Sequence, residues 1–220
     1  MGVSSVRARV ALALVALPVL YVGYQGAQTL DTLDRVERER DRWQRPEDVL
    51  RELDVRPGST VVDFGSGAGY FALKIAPRVA PDGQVFAVDL RRESLAFLWI
   101  RARLRRLHNL NVILGATDDP RLPPVTVDAV LVANTFHELT APDAVLDALA
   151  RSMRSGARLV VVDREPRSTG EEAYASHEIA AADAARVISA RGFAILRRED
   201  RFVDRASDDE TWWLMTFRRL

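Results

Sequence analysis

Residues 60–71, TVVDFGSGAGYF, pass from a β-branched apolar run through three closely spaced glycines into the start of an amphipathic stretch. The run Thr60–Phe64 predicts a buried strand, because apolar residues without polar alternation suit a strand covered on both faces. Glycines at 65, 67 and 69 let the backbone turn tightly and let a ligand approach peptide N–H groups with no Cβ in the way. Helical spacing follows over Tyr70–Val79. By itself a glycine turn of this kind serves packing as readily as binding.

The same alternation continues downstream. Further strands are predicted at Gln84–Asp89, Asn111–Leu114, Ala129–Ala133 and Arg158–Val162, with helices at Arg92–Leu107 and Ala141–Met153 between them. Turn signals at Pro81-Asp82-Gly83 and Ser155-Gly156 punctuate the pattern. A helix at Ala180–Arg191, stopped by Gly192, precedes two β-like runs, Phe193–Phe202 and Trp212–Arg218. The turn-rich stretch 204–209 between those runs predicts an antiparallel pair closing the sheet edge. The fold class is therefore α/β, a doubly wound and mostly parallel seven-stranded sheet whose last strand is antiparallel.

Asp89 gives the glycine turn its chemical meaning. It ends the strand VFAVD twenty residues beyond Gly69, where a carboxylate accepts hydrogen bonds from both hydroxyls of a ribose. The fourth strand ends in VANTFHEL, which sets Asn134, Phe136, His137 and Glu138 at the carboxyl edge where open α/β sheets bind ligands. An imidazole titrates near neutrality, so His137 is the candidate general base, with Glu138 to orient it or to act itself. Capping the next helix or lining the pocket is the alternative role for His137. His108 and His177 show no ligand spacing with it, and no metal site is expected.

On these residues the chain resembles the class I S-adenosylmethionine-dependent methyltransferases, in the broad group that includes the quinone-biosynthesis C-methyltransferases. The resemblance covers about residues 42–220. Asp63-Phe64-Gly65-Ser66-Gly67-Ala68-Gly69 matches the family's first motif, D/E-x-G-x-G-x-G, and Asp89 its ribose-binding acid. The resemblance implies a Rossmann-like methyltransferase fold with S-adenosyl-L-methionine as methyl donor. Gly65 and Gly67 would face its methionine and ribose portions, Asp63 would position the amino group, and Asn134 would lie beside the methionine end. Ser66, Gly69 and Leu90 complete the implied cofactor set, with Asp118 or its neighbour Asp119 facing the adenine. Here the sequence departs from the family's adjacent Gly-Asp, reading Gly115-Ala116-Thr117-Asp118. Trp43, Tyr174, His177 and Glu178 are acceptor-side candidates. The acceptor is a small molecule that the sequence does not identify, with hydrophobic ones the first to consider.

Two other functions share parts of this pattern. A nicotinamide-dependent oxidoreductase spaces its last glycines G-x-x-G, whereas the third glycine here comes one residue early and position 70 is Tyr. A non-catalytic cofactor-binding or membrane-scaffold protein would keep the fold without the reaction. Acidic and basic residues balance at 31 each, which gives no support for a nucleic-acid binder. Lys74 is the only lysine. No cysteine is present, so thiolate metal sites, disulfides and thiol-dependent handling of soft metals are excluded.

The amino-terminal region is organised differently. Residues 10–24, VALALVALPVLYVGY, are apolar throughout and follow Arg7 and Arg9. As a helix the run spans roughly 22 Å at about 1.5 Å per residue, short of a hydrocarbon core of about 30 Å, and extension to Leu30 just crosses it. A cleaved secretory signal and an uncleaved anchor both fit. Tyr24 and Gln25 stand where cleavage wants a small residue, which favours membrane attachment through residues 10–30. Arg35, Arg38, Arg40, Arg42 and Arg45 follow the run, so the positive-inside bias points the domain to the cytoplasm. The organisation expected is an anchor or signal at 1–30, a charged linker with pre-domain helices at 31–57, and the methyltransferase-like domain at 58–220.

Overall fold

A computed structural model describes residues 3–166, 179–205 and 210–220, with the side chains at 3–19, 22 and 204 left out. The chain divides into two units, residues 1–40 and 41–220. The first is one helix, α1 (Val3–Asp41), so the apolar run and the charged stretch after it are continuous. Alternating Glu and Arg from position 35 onward are good helix formers and favour extending a helix. Arg45, at φ 52°, is the left-handed residue that separates it from the next helix. Among the described residues no helix is long and apolar enough to cross a membrane.

In the second unit, α2 (Pro46–Glu52) precedes a sheet of β1 (Thr60–Phe64), β2 (Gln84–Asp89), β3 (Leu110–Leu114), β4 (Val127–Ala133), β5 (Met153–Arg164), β6 (Phe193–Arg205) and β7 (Glu210–Arg219). Between strands lie α3 (Ala72–Val79), α4 (Arg92–Leu104), α5 (Pro142–Ser152) and α6 (Ala181–Ser189). The strand order is β3-β2-β1-β4-β5-β7-β6. Pairs among β1 to β5 are parallel, and β7 runs antiparallel to both its neighbours, β5 and β6. This is the doubly wound sheet the sequence predicts: the antiparallel pair β6 and β7 closes the edge, with β7 lying between β5 and β6.

Side-chain alternation builds two cores, one on each face. Val61, Leu131, Val160, Val162 and Leu214 face α2, α3 and α4. Val62, Val130, Val132, Val161 and Met215 face α5 and α6. Because β1 sits between β2 and β4, the chain winds both ways from it, which makes the carboxyl ends of these strands the topological switch point where open α/β sheets bind ligands.

Among the boundaries that differ from the sequence reading, three are informative. The helix expected to reach Leu107 stops at Leu104, since Arg106 turns left-handed at φ 57° and Leu107 N–H donates back to Ala102 O at 2.9 Å. Ser155-Gly156 does not separate helix from strand. It lies inside β5, near the register shift between Val127 and Ala129 of β4, with Gly156 at φ 80°. Finally, β6 extends to Arg205 through two register shifts.

Candidate active site

The three glycines of the loop after β1 have positive φ for different reasons: 77° at Gly65, 53° at Gly67 and 96° at Gly69. A Cβ at Gly65 would lie 2.1 Å from Thr135 Oγ1, and one at Gly69 2.2 Å from Leu98 Cδ1. Both positions are close-packing contacts. At Gly67 nothing lies within 4 Å of the added atom. Of the glycines that the resemblance points at a ligand, Gly67 fronts open space, while Gly65 is pressed against β4's exit.

Backbone hydrogen bonds hold this loop against β2. Gly65 and Ser66 N–H donate to Val88 O at 2.8 and 3.0 Å, and Gly69 N–H donates to Ser66 O at 2.9 Å. From below, the guanidinium of Arg101, buried in α4, donates to Ala68 O at 2.6 Å. Sequence reasoning did not single out Arg101. The available signal was an arginine in register with Leu95, Leu98 and Ala102, the buried positions of α4.

Asp89 is 8% exposed and ties the loop to β2. Its Oδ2 accepts from Gly67 N–H at 2.8 Å, and its Oδ1 from Arg91 N–H at 2.8 Å. Each carboxylate oxygen has a second lone pair, so capacity for two hydroxyl donors remains. Leu90, beside it, is half exposed. Gly115 N–H donates to Asp89 O at 3.0 Å, which brings the chain after β3 to the same edge. There Asp119 closes a turn: its carbonyl accepts from Ala116 N–H and its Oδ1 from Arg121 N–H, both at 2.7 Å. Asp118 is exposed and is the freer of the two acids. Asp63 is almost completely buried at the end of β1.

Asn134 leaves β4 in the left-handed region at φ 55°, a conformation Asn tolerates better than most residues. Its N–H donates to Val162 O at 2.7 Å, while its Oδ1 is buried without a hydrogen-bond partner among the described residues. Ser66 Oγ is buried and unpartnered in the same way.

The short 3₁₀ turn Phe136–Glu138 follows. His137 Nδ1 lies 2.6 Å from Asp163 Oδ1, and His137 N–H donates to Asp163 Oδ2 at 3.1 Å. Arg164 N–H adds a second backbone donor, 2.8 Å from Oδ1. Two backbone N–H donors on one carboxyl mark Asp163 as an acceptor, which suits an imidazole tautomer with its proton on Nδ1 and the lone pair of Nε2 presented. Nε2 lies 3.7 Å from Glu138 Oε1, with the imidazole 2% and the Glu138 side chain 65% exposed. Sequence reasoning stopped the fifth strand at Val162 and missed Asp163. The signal was present in RLVVVD, an acid ending an apolar strand as Asp89 ends VFAVD.

Of the acceptor-side candidates, Trp43 packs its ring 5.5 Å from that of Trp212 and lies under the Arg205 guanidinium at 4.3 Å. Tyr174, His177 and Glu178 lie outside the described residues. No cluster of three or more metal-ligating side chains occurs among the described residues.

Residues 56–208 match the family described as Methyltransferase domain. A ubiquinone/menaquinone biosynthesis C-methyltransferase of Pasteurella multocida is 30% identical over 112 residues, 50% of this chain and 41% of that protein. Nocamycin O-methyltransferase of Saccharothrix syringae is also 30% identical, over 111 residues that make up 50% of this chain and 40% of the relative. The chain thus spans less than half the length of these two relatives. Among solved structures, a SAM-dependent methyltransferase from Aquifex aeolicus superposes with a TM-score of 0.69 at 25% identity, covering 80% of this chain and 89% of that one.

Proposed function

The chain belongs to the Methyltransferase domain family, and from that premise we propose that it transfers a methyl group from S-adenosylmethionine to a small-molecule acceptor. The observation that carries the proposal is a convergence at the carboxyl ends of β1, β2 and β4. Gly67 faces open space there, Asp89 keeps spare acceptor capacity, and two buried oxygens, Ser66 Oγ and Asn134 Oδ1, have no partner among the described residues. Buried polar atoms are nearly always satisfied, so two orphans beside a glycine turn mark a place completed by a polar ligand. The donor set fits S-adenosylmethionine: a carboxylate for ribose hydroxyls at Asp89, a carbonyl oxygen for an ammonium at Asn134, and an exposed carboxylate at Asp118 for an exocyclic amine.

When bound, S-adenosylmethionine supplies a methyl group already activated by its sulfonium, so the protein's task is to align and to exclude water. Asp89 fixes the sugar, and the Gly67 N–H fixes Asp89. Asn134, held by Val162 O, orients the amino-acid end. Where the acceptor atom must lose a proton, His137 Nε2 takes it while Asp163 holds the protonated Nδ1. Glu138, on the solvent side of Nε2, receives the proton next. Asp163 is thus a positioning residue, and His137 and Glu138 are the catalytic pair.

Membrane attachment of residues 10–30 belongs to the same proposal, with the domain on the cytoplasmic side and a hydrophobic acceptor drawn from the bilayer. Export with a cleaved leader is the alternative. It predicts a mature protein lacking residues 1–24, which amino-terminal sequencing of the cell-purified chain would detect.

Titration calorimetry of the full chain tests the donor half. Saturable binding of S-adenosylmethionine, lost in Asp89→Ala, is the expected result. Preference for a nicotinamide dinucleotide would replace the proposal with an oxidoreductase. Binding without transfer of labelled methyl to any of a panel of quinones, lipids and polar metabolites would leave a non-catalytic binder.

A further inference from the structure

Two adjacent tryptophans begin the buried part of β7, and the protein treats their indoles differently. Trp213 points to the α5/α6 face and donates its Nε1–H to Ile179 O at 2.9 Å. Trp212 points to the opposite face, is 5% exposed, and has no acceptor for Nε1–H among the described residues. Its register partner across the β5–β7 ladder is Arg164, whose Nε–H is likewise buried and without a partner among the described residues. Two strong donors, side by side at the carboxyl end of β5, are both left unmade.

The surroundings of this pair are cationic and aromatic. The Arg164 guanidinium lies 5.8 Å from the Trp212 ring, with Nη1 held at 3.9 Å from Glu210. Trp43 packs on Trp212 from one side and carries Arg205 over its own ring. Arg205 in turn pairs with Glu210 at 3.3 Å. Glu210 therefore anchors two guanidiniums by their Nη atoms and leaves the Nε–H of Arg164 to point elsewhere. A guanidinium N–H beside an indole N–H suits a planar, anionic oxygen ligand, with no proton needed from the ligand.

We infer that Arg164 and Trp212 form a carboxylate-binding subsite of the active site, each giving one side-chain N–H to the anion. The inference rests on the methyltransferase reading, because that reading places ligands at the carboxyl ends of β4 and β5. Two sources carry the chemistry: the methionyl carboxylate of the methyl donor, and a carboxylate on the acceptor.

Two conservative variants of the full-length chain separate them by calorimetry. Trp212→Phe keeps an aromatic ring against Trp43 while removing the N–H together with the five-membered ring of the indole, and Arg164→Lys keeps the charge and removes the Nε donor. In one arm S-adenosylhomocysteine, which has the amino-acid carboxylate, is compared with 5′-methylthioadenosine, which lacks it. In the other, benzoate is titrated into the complex with S-adenosylhomocysteine. Loss of a charge-assisted hydrogen bond weakens binding by about tenfold or more. If both variants lose that factor for S-adenosylhomocysteine and none for 5′-methylthioadenosine, the subsite holds the donor's carboxylate. A loss confined to benzoate assigns it to the acceptor. Wild-type affinities in both arms for both variants would overturn the subsite while leaving the donor assignment standing. Failure of the wild-type chain to bind either nucleoside would overturn the methyltransferase reading and the subsite with it.

Discussion

Replacing Gly65 and Gly67 by alanine separates what the loop does for folding from what it does for binding. Both residues have left-handed φ, 77° and 53°, where a Cβ costs about 1–2 kcal/mol. At Gly67 that is the whole penalty, since nothing lies within 4 Å of the new atom. A drop in Tm of roughly 2–8 °C follows, at about 2–4 °C per kcal/mol for a chain of this size. At Gly65 the new Cβ would meet Thr135 Oγ1 at 2.1 Å, Cγ2 at 2.3 Å and Cβ at 2.6 Å. Overpacking adds about 1–3 kcal/mol, for a total of about 2–5 kcal/mol. The Gly65→Ala cost should shrink in a Thr135→Gly background, because every one of those clashing atoms is gone and only the strain stays. Urea denaturation of the four chains of this cycle should therefore give a coupling of about 1 kcal/mol or more. Calorimetry with S-adenosylmethionine supplies the other half. Gly67→Ala, the milder lesion for folding, should lose at least about tenfold in affinity, since its Cβ enters the space a ligand uses. Wild-type affinity in Gly67→Ala, or no coupling between Gly65 and Thr135, would refute the reasoning.

Three further outcomes are expected. Asp89→Asn sets an amide NH₂ against the N–H of Gly67 or of Arg91 whichever way it turns, so S-adenosylmethionine affinity should fall about tenfold or more, measured by calorimetry. Asp163→Asn places the same conflict on three donors and frees the imidazole tautomer. Once an acceptor is found, kcat should drop about a hundredfold or more with donor affinity within threefold of wild type, whereas equal losses in both would make Asp163 purely structural. In α2, the hydrogen bond from Arg45 holds the Asp48 carboxyl below its ordinary range against the opposing effect of burial, with Arg51 adding a second hydrogen bond. A depressed folded value means stability present above the unfolded carboxylate range, about pH 4, and lost as pH falls through the folded value. The stability gap between wild type and Asp48→Asn in urea titrations should accordingly be constant near neutrality and close only in acid.

Much of the candidate donor site was legible because it is local. The glycine turn, the acid ending β2 and the Asn ending β4 each sit within a few residues of a strand terminus, and strand termini are readable from apolar runs. Even there, the individual glycines were not equivalent in a way the string reveals. Gly65 and Gly69 are small because Thr135 and Leu98, 70 and 29 residues away, press on them. Which of Asp118 and Asp119 is freer depends similarly on a turn, since Asp119 Oδ1 accepts from Arg121 N–H.

By itself the sequence determined the fold class, the winding and the first-motif loop, since alternation and turn chemistry act over short stretches of chain. Only the tertiary structure decided which side chains meet. His137 finds Asp163 because β4 and β5 pair Ala133 with Val162, and Arg164 meets Trp212 because β7 runs antiparallel beside β5. Strand order and register are collective choices of the whole sheet, where a slip of one residue sends every side chain to the other face. The His137–Asp163 contact and the two unmade donors, Arg164 Nε–H and Trp212 Nε1–H, are consequences of that register.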